Sequence, residues 1–117
     1  MIVESDRPIR DLVAEWLEMF EYGSMHVPDV VAAAKAAQCD VVLLDIPATL
    51  RAACESIASL AAAVPHTPIV AMSADVLASG PSAAEALARE LGVAAVLVKP
   101  FGREALMQAI TRARVPT

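Results

Sequence analysis

Aromatic side chains are nearly missing from this sequence: 117 residues contain one tryptophan, one tyrosine and two phenylalanines. With 57% hydrophobic residues and so few rings, the core has to be filled by Ala, Val, Leu and Ile, a composition that suits helices laid closely on a sheet. Cysteine is scarce too. Cys39 and Cys54 are too few and too far apart for a disulfide framework or a CxxC zinc or redox site, and their apolar surroundings predict two buried, reduced thiols. No apolar run approaches the roughly 20 residues of a membrane span, and Glu4 stands where a signal peptide would carry bases. Both absences lead to the expectation of a cytoplasmic protein with no membrane partner. An excess of basic residues is also lacking. At a net charge of −5, with no basic stripe, the chain is unsuited to nucleic-acid binding by phosphate neutralisation.

The length fits a single domain over residues 1–117 with one core. Its charge is unevenly placed. Residues 1–45 carry nine acids against three bases, a net −6, while the remainder carries six bases and five acids. The acidic half is therefore where a cation would be held.

Hydrophobic periodicity divides the chain into alternating elements. Met1–Val3 reads as a short first strand, followed by a polar turn and Pro8 at the head of a helix. In that helix Ile9, Leu12, Val13, Trp16, Leu17 and Phe20 recur at spacings of three and four and predict one apolar stripe. Residues 21–27 can hold an edge strand, and Pro28 and Asp29 introduce an alanine-rich helix to about Gln38. The aliphatic run ending at Asp45 is of the type covered on both faces. Thr49 caps a third helix, with Leu50, Ala53, Cys54, Ile57, Leu60 and Val64 inward. Pro68–Met72 is a further buried strand ending at Ser73. Ser82 and Glu85 form a capping-box pair for a helix closed by Gly92, and Val93–Val98 and Phe101–Arg114 supply the last strand and helix. Five strands alternating with five helices predict an α/β, doubly wound parallel sheet, because parallel neighbours need crossover connections.

In such sheets functional groups collect beyond the carboxyl ends of the strands. Glu4, Ser5 and Asp6 follow the first strand, Asp45 the third, Ser73 the fourth and Lys99 the fifth. Carboxylates can hold a hard divalent cation such as Mg²⁺ through oxygen, and a lysine with a hydroxyl can receive anionic oxygens beside it. This is equipment for phosphoryl transfer to an aspartate.

With those residues in place, the sequence resembles a response-regulator receiver domain of two-component signalling. The likeness rests on ESDRPIRDLVAEWLE, CDVVLLD, PIVAMSA and VLVKPF, in order. It implies a flavodoxin-like (βα)5 three-layer sandwich with strand order 2-1-3-4-5. It also implies Asp45 as phospho-acceptor, Ser73 and Lys99 as contacts of the phosphoryl group, and Mg²⁺ on Asp6, Asp45 and the Pro47 backbone carbonyl. Ser5 or Glu4 would reach the metal through water, although strand alternation argues against Glu4. The implied partners are a histidine kinase or histidine phosphotransfer protein and a downstream protein target, with the segment from Ala74 to Pro81 rearranging on phosphorylation. No effector domain is expected, so output runs by protein contact.

Three positions depart from the family pattern. Ser5 replaces an acid, the loop after Asp45 reads Ile46-Pro47-Ala48, and Val96 stands where many receivers carry an aromatic switch. These departures leave open a pseudo-receiver, with the same fold acting as an interaction module without phosphorylation. An aspartate-nucleophile phosphatase is disfavoured because no second acid follows Asp45 by two residues.

Overall fold

The computed structural model describes residues 1–35, 39–74 and 81–114. In chain order the elements are β1 (Ile2–Val3), α1 (Arg7–Met19), β2 (His26–Val27), α2 (Val30–Ala34), β3 (Val42–Asp45), α3 (Leu50–Ala63), β4 (Ile69–Ser73), α4 (Pro81–Leu91), β5 (Ala95–Val98) and α5 (Arg103–Arg114). Among the described residues the five strands form one sheet in the order β2-β1-β3-β4-β5, every pair parallel. This is the doubly wound, flavodoxin-like order expected from the sequence.

Alternation along the strands feeds two cores. Val3, Val42, Leu44 and Ala71 face Ala53, Ile57 and Leu60 of α3 and Leu87 and Leu91 of α4. Ile2, Leu43, Val70, Met72 and Leu97 face Val13 and Leu17 of α1 and Leu106, Ala109 and Ile110 of α5. The sheet is thus covered on both sides, and the apolar residues of the central strands β3 and β4 are buried whichever way they point, which is why these strands read as continuous apolar runs.

Local chemistry sets the helix ends. Asp6, Asp29 and Thr49 accept hydrogen bonds from the backbone N–H groups of Ile9, Ala32 and Ala52 and so cap α1, α2 and α3. After α1 the chain leaves through a Schellman turn: Tyr22 N donates to Leu17 O, Glu21 N donates to Glu18 O, and Glu21 sits at φ 65°. Gly92 takes the same left-handed conformation after α4, at φ 72°.

Several sequence expectations need correction. Helix α4 begins at Pro81, so Ser82 lies inside it rather than at its cap. The alanine-rich helix is described as far as Ala34, and its expected continuation to Gln38 lies outside the described residues. The two thiols are not buried: Cys54 is exposed and Cys39 half-buried, because α3 turns Ala53, Ile57 and Leu60 inward and leaves the residue after Ala53 on the rim. In α1 only Val13 and Leu17 are buried, while Leu12 and Phe20, expected in the same inward stripe, are each 44% exposed. No helix among the described residues is long and apolar enough to cross a membrane.

Candidate functional site

Register brings two acids side by side. Val3 lies opposite Leu44, so one step further along the parallel pair Glu4 comes level with Asp45, and residues level in parallel strands project to the same side. Glu4 N continues the ladder by donating to Val27 O at 3.3 Å. From the other side of the sheet, Lys99 follows β5, its backbone N–H donating to Ser73 O at 2.9 Å, with a cis bond to Pro100 behind it.

The Lys99 ammonium joins the acids. Its Nζ donates to Asp45 Oδ1 at 2.7 Å and to Glu4 Oε1 at 3.4 Å. Glu4 is 2% exposed, and its second oxygen, Oε2, is buried with no hydrogen-bond partner among the described residues. Burial, followed by the charge of Asp45, raises the Glu4 pKa above the usual carboxylate value. Burial pulls the Lys99 pKa down, but its hydrogen bond to Asp45 and the charges of both acids outweigh that, and the net shift is upward. Lys99 stays an ammonium bridging two carboxylates.

Not every sequence-predicted residue joins this trio. Asp45 and Lys99 do. Ser73 closes β4 fully buried, beside Lys99 through the backbone, and its hydroxyl donates to Ala74 O at 3.0 Å. Asp6 is placed elsewhere: its carboxylate is exposed and engaged as the α1 cap, accepting from Ile9 N at 3.3 Å. Glu4 takes the place at the sheet edge that alternation was expected to deny it. Alternation sorts inside from outside only when one face is solvated, and here both are covered. The signal that locates Glu4 is its position directly after the apolar run Met1–Val3, as Asp45 directly follows Val41–Leu44.

A cleft of about 230 Å³ opens beside the acids, with Glu4, Ser5, Asp29, Asp45, Pro47 and Ser56 among its lining residues. Asp29 was not singled out by sequence; its carboxylate is committed to the α2 cap. Among the described residues no group of three acids, histidines or cysteines gathers. Val3, Pro28, Val30 and Leu44 make much of the lining apolar, but every polar side chain in it offers oxygen, and together with the orphaned buried Glu4 oxygen these donors suit a hard cation. The segment after Ala74, expected to rearrange, lies for residues 75–80 outside the described residues.

A family model, the response regulator receiver domain, matches residues 1–111. Among solved structures the chain is similar to a CheY-like response regulator receiver domain protein from Methanospirillum hungatei JF-1 (18% identity, 94% of this chain and 87% of that one, TM-score 0.72). It is also similar to the chemotaxis response regulator CheY4 of Vibrio cholerae (23% identity, 96% and 94%, TM-score 0.74). The receiver domain of Francisella response regulator 1452 resembles it as well (16% identity, 97% and 93%, TM-score 0.75). At these identities the structural likeness speaks for the fold alone. Among curated proteins none matches the chain.

Proposed function

The chain belongs to the response regulator receiver domain family of two-component signalling, and on that premise we propose that it accepts a phosphoryl group on Asp45 from a histidine kinase or histidine phosphotransfer protein and signals by contact with a protein target. The observation that carries this reading is the Lys99 ammonium 2.7 Å from Asp45 at the carboxyl edge of the parallel sheet. A carboxylate oxygen of Asp45 attacks phosphorus, an acyl phosphate forms, and the bond to the donor imidazole breaks, returning the electron pair to that ring. Lys99 holds the acceptor in one orientation and balances charge arriving on the phosphoryl oxygens. The Ser73 hydroxyl reaches the phosphoryl group by exchanging its bond to the Ala74 carbonyl for one to a phosphoryl oxygen.

Receivers as a family use Mg²⁺, and here Glu4, Asp45 and the Pro47 carbonyl would hold it, with Ser5, which also lines the cleft, reaching it through water. Bound there, the cation shields the two carboxylates and the incoming phosphoryl oxygens from one another. Asp6 is assigned to the helix cap rather than to the metal, because a carboxylate satisfied by Ile9 N and outside the cleft lining has to abandon α1 to reach it.

The test is intact-mass measurement after incubation with Mg²⁺ and acetyl phosphate, beside an Asp45→Asn control. The expected result is one added phosphoryl mass in the native chain and none in the control. The pseudo-receiver reading draws support from Ser5, whose hydroxyl stands where the family carries an acid. No mass gain at millimolar Mg²⁺ would establish that second reading in place of the first.

A further inference from the structure

The amino edge of the sheet, opposite the edge that carries Asp45, holds a cavity of about 390 Å³. Its floor is apolar because α1, β3 and α5 converge there: Leu17, Leu43 and Ile110 all line it, and all three are buried in one core. Met1 and Val41 continue the floor at the heads of β1 and β3, with Leu43 N donating to Met1 O at 2.7 Å to hold the two strands level.

The walls bring opposite charges to this floor. Tyr22, just past the turn that closes α1, packs against the same core. Arg114 at the end of α5 lies over the Tyr22 ring, its guanidinium carbon 5.5 Å from the ring centre, and Nη1 donates to Tyr22 Oη at 3.2 Å. Ring and hydroxyl thus hold the guanidinium in place while engaging only one of its several N–H donors. Asp40, exposed and directly before Val41, lines the cavity as well. Arg114 and Asp40 do not pair with each other, and neither takes part in any of the described ion pairs. An anion entering this space meets the acid, and a cation meets the guanidinium; a small molecule carrying both charges on an apolar body satisfies all three surfaces.

We propose that this cavity binds a free α-amino acid with an aliphatic side chain, its carboxylate on Arg114, its ammonium on Asp40 and its side chain on Leu17, Leu43 and Ile110. At about 390 Å³ the space lies at the small end of ligand sites, which suits a molecule of that size. The assignment stands apart from the acceptor role of Asp45, since Asp40 and Asp45 flank opposite ends of β3.

The test titrates leucine into the isotope-labelled chain and follows backbone amide resonances by NMR. Three relatives each lack one feature: 4-methylpentanoate has no ammonium, isopentylamine no carboxylate, and glycine no apolar side chain. The expected result is saturable shifts at Ser24, Asp40 and Val41 with leucine, none at Asp45, and affinity about fivefold weaker or worse for each relative, the scale set by exposed charge pairs. Asp40→Asn should weaken leucine by a similar factor without weakening 4-methylpentanoate, because only leucine brings an ammonium to that wall. Arg114→Gln should likewise weaken leucine without weakening isopentylamine. Circular-dichroism melting confirms that both variants, changed only at exposed positions, are folded. Any relative binding as tightly as leucine would overturn the proposal. So would the absence of saturation, shifts confined to Asp45 and Lys99, or undiminished leucine binding to either folded variant.

Discussion

Lys99 is the residue on which the sheet edge depends, because it is the cation between two acids that register forces together. Its side chain is 22% exposed, Glu4's 1% and Asp45's 35%. Lys99→Met leaves two facing carboxylates uncompensated. The expected cost in a urea melt is about 2–3 kcal/mol, below the 3–5 of a wholly buried pair because Asp45 keeps part of its hydration. Adding Glu4→Gln should recover part of that loss, and a double variant no more stable than Lys99→Met alone would show that the acids do not repel. Glu4 also makes a pH prediction. Its pKa is raised by burial, so the folded state holds the proton more tightly than the unfolded chain. That contribution is fully present below the unfolded value of 4.5 and is lost as pH rises through the folded value above it. In EDTA, the stability of the native chain relative to Glu4→Gln should therefore fall as pH rises from about 4 to about 8, and a constant difference would contradict a buried, titrating Glu4. At this scale the strand-end positions of Asp45, Ser73 and Lys99 were legible because each directly follows an apolar run in a strand. Glu4 also follows one, yet period-two reasoning hid it, since a sheet covered on both faces has no outward side to assign.

Helix α1 shows what an element read by itself can and cannot reveal. Its apolar rows, polar rows and start were legible from spacing and from the turn before Pro8. Which apolar rows would be covered was not, since the sheet and α5 decide that, and they bury only Val13 and Leu17 fully, with Ile9, Ala14 and Trp16 partly covered against the same core. Its two ends yield opposite predictions. Asp6→Ala removes the acceptor for Ile9 N and should cost about 1 kcal/mol, whereas Asp6→Ser retains a capping oxygen and should cost a few tenths. At the other end Glu21 occupies the left-handed position of a Schellman turn, where a side chain is strained and glycine is not. Glu21→Gly should therefore stabilise the chain by about 0.5–1 kcal/mol, seen as a higher urea midpoint with unchanged slope. Loss of stability there would mean that the turn is not left-handed in solution. The same limit of local reading explains Ser82. Its S-x-x-E pattern marks a helix start, but Pro81 can occupy a first helical turn without loss because its missing N–H has no partner there anyway, and the helix begins two residues sooner than a cap at Ser82 would allow.

Across the whole molecule, the parallel, layered sheet was legible because alternating strands and helices require crossover connections, while the strand order was implied by the family resemblance. Interstrand register was not legible, and register is what pairs Glu4 with Asp45 and leaves Asp6 on the helix. On the proposed Mg²⁺ site, that pairing would tie global stability to a divalent cation. A ligand held only by the folded chain stabilises it by RT ln(1 + [L]/Kd), so Mg²⁺ at ten times its measured dissociation constant should add about 1.4 kcal/mol. For a domain of this size that is a rise of roughly 4–6 °C in melting temperature. Glu4→Gln and Asp45→Asn should each flatten the Mg²⁺ dependence, because each removes a carboxylate from the cleft, while Asp6→Ser should leave it intact. The three variants therefore locate the cation without reference to phosphorylation. If Asp6→Ser abolishes the rise and Glu4→Gln preserves it, the metal belongs to the end of α1, and the orphaned Glu4 oxygen is an internal cost of holding Lys99 in place.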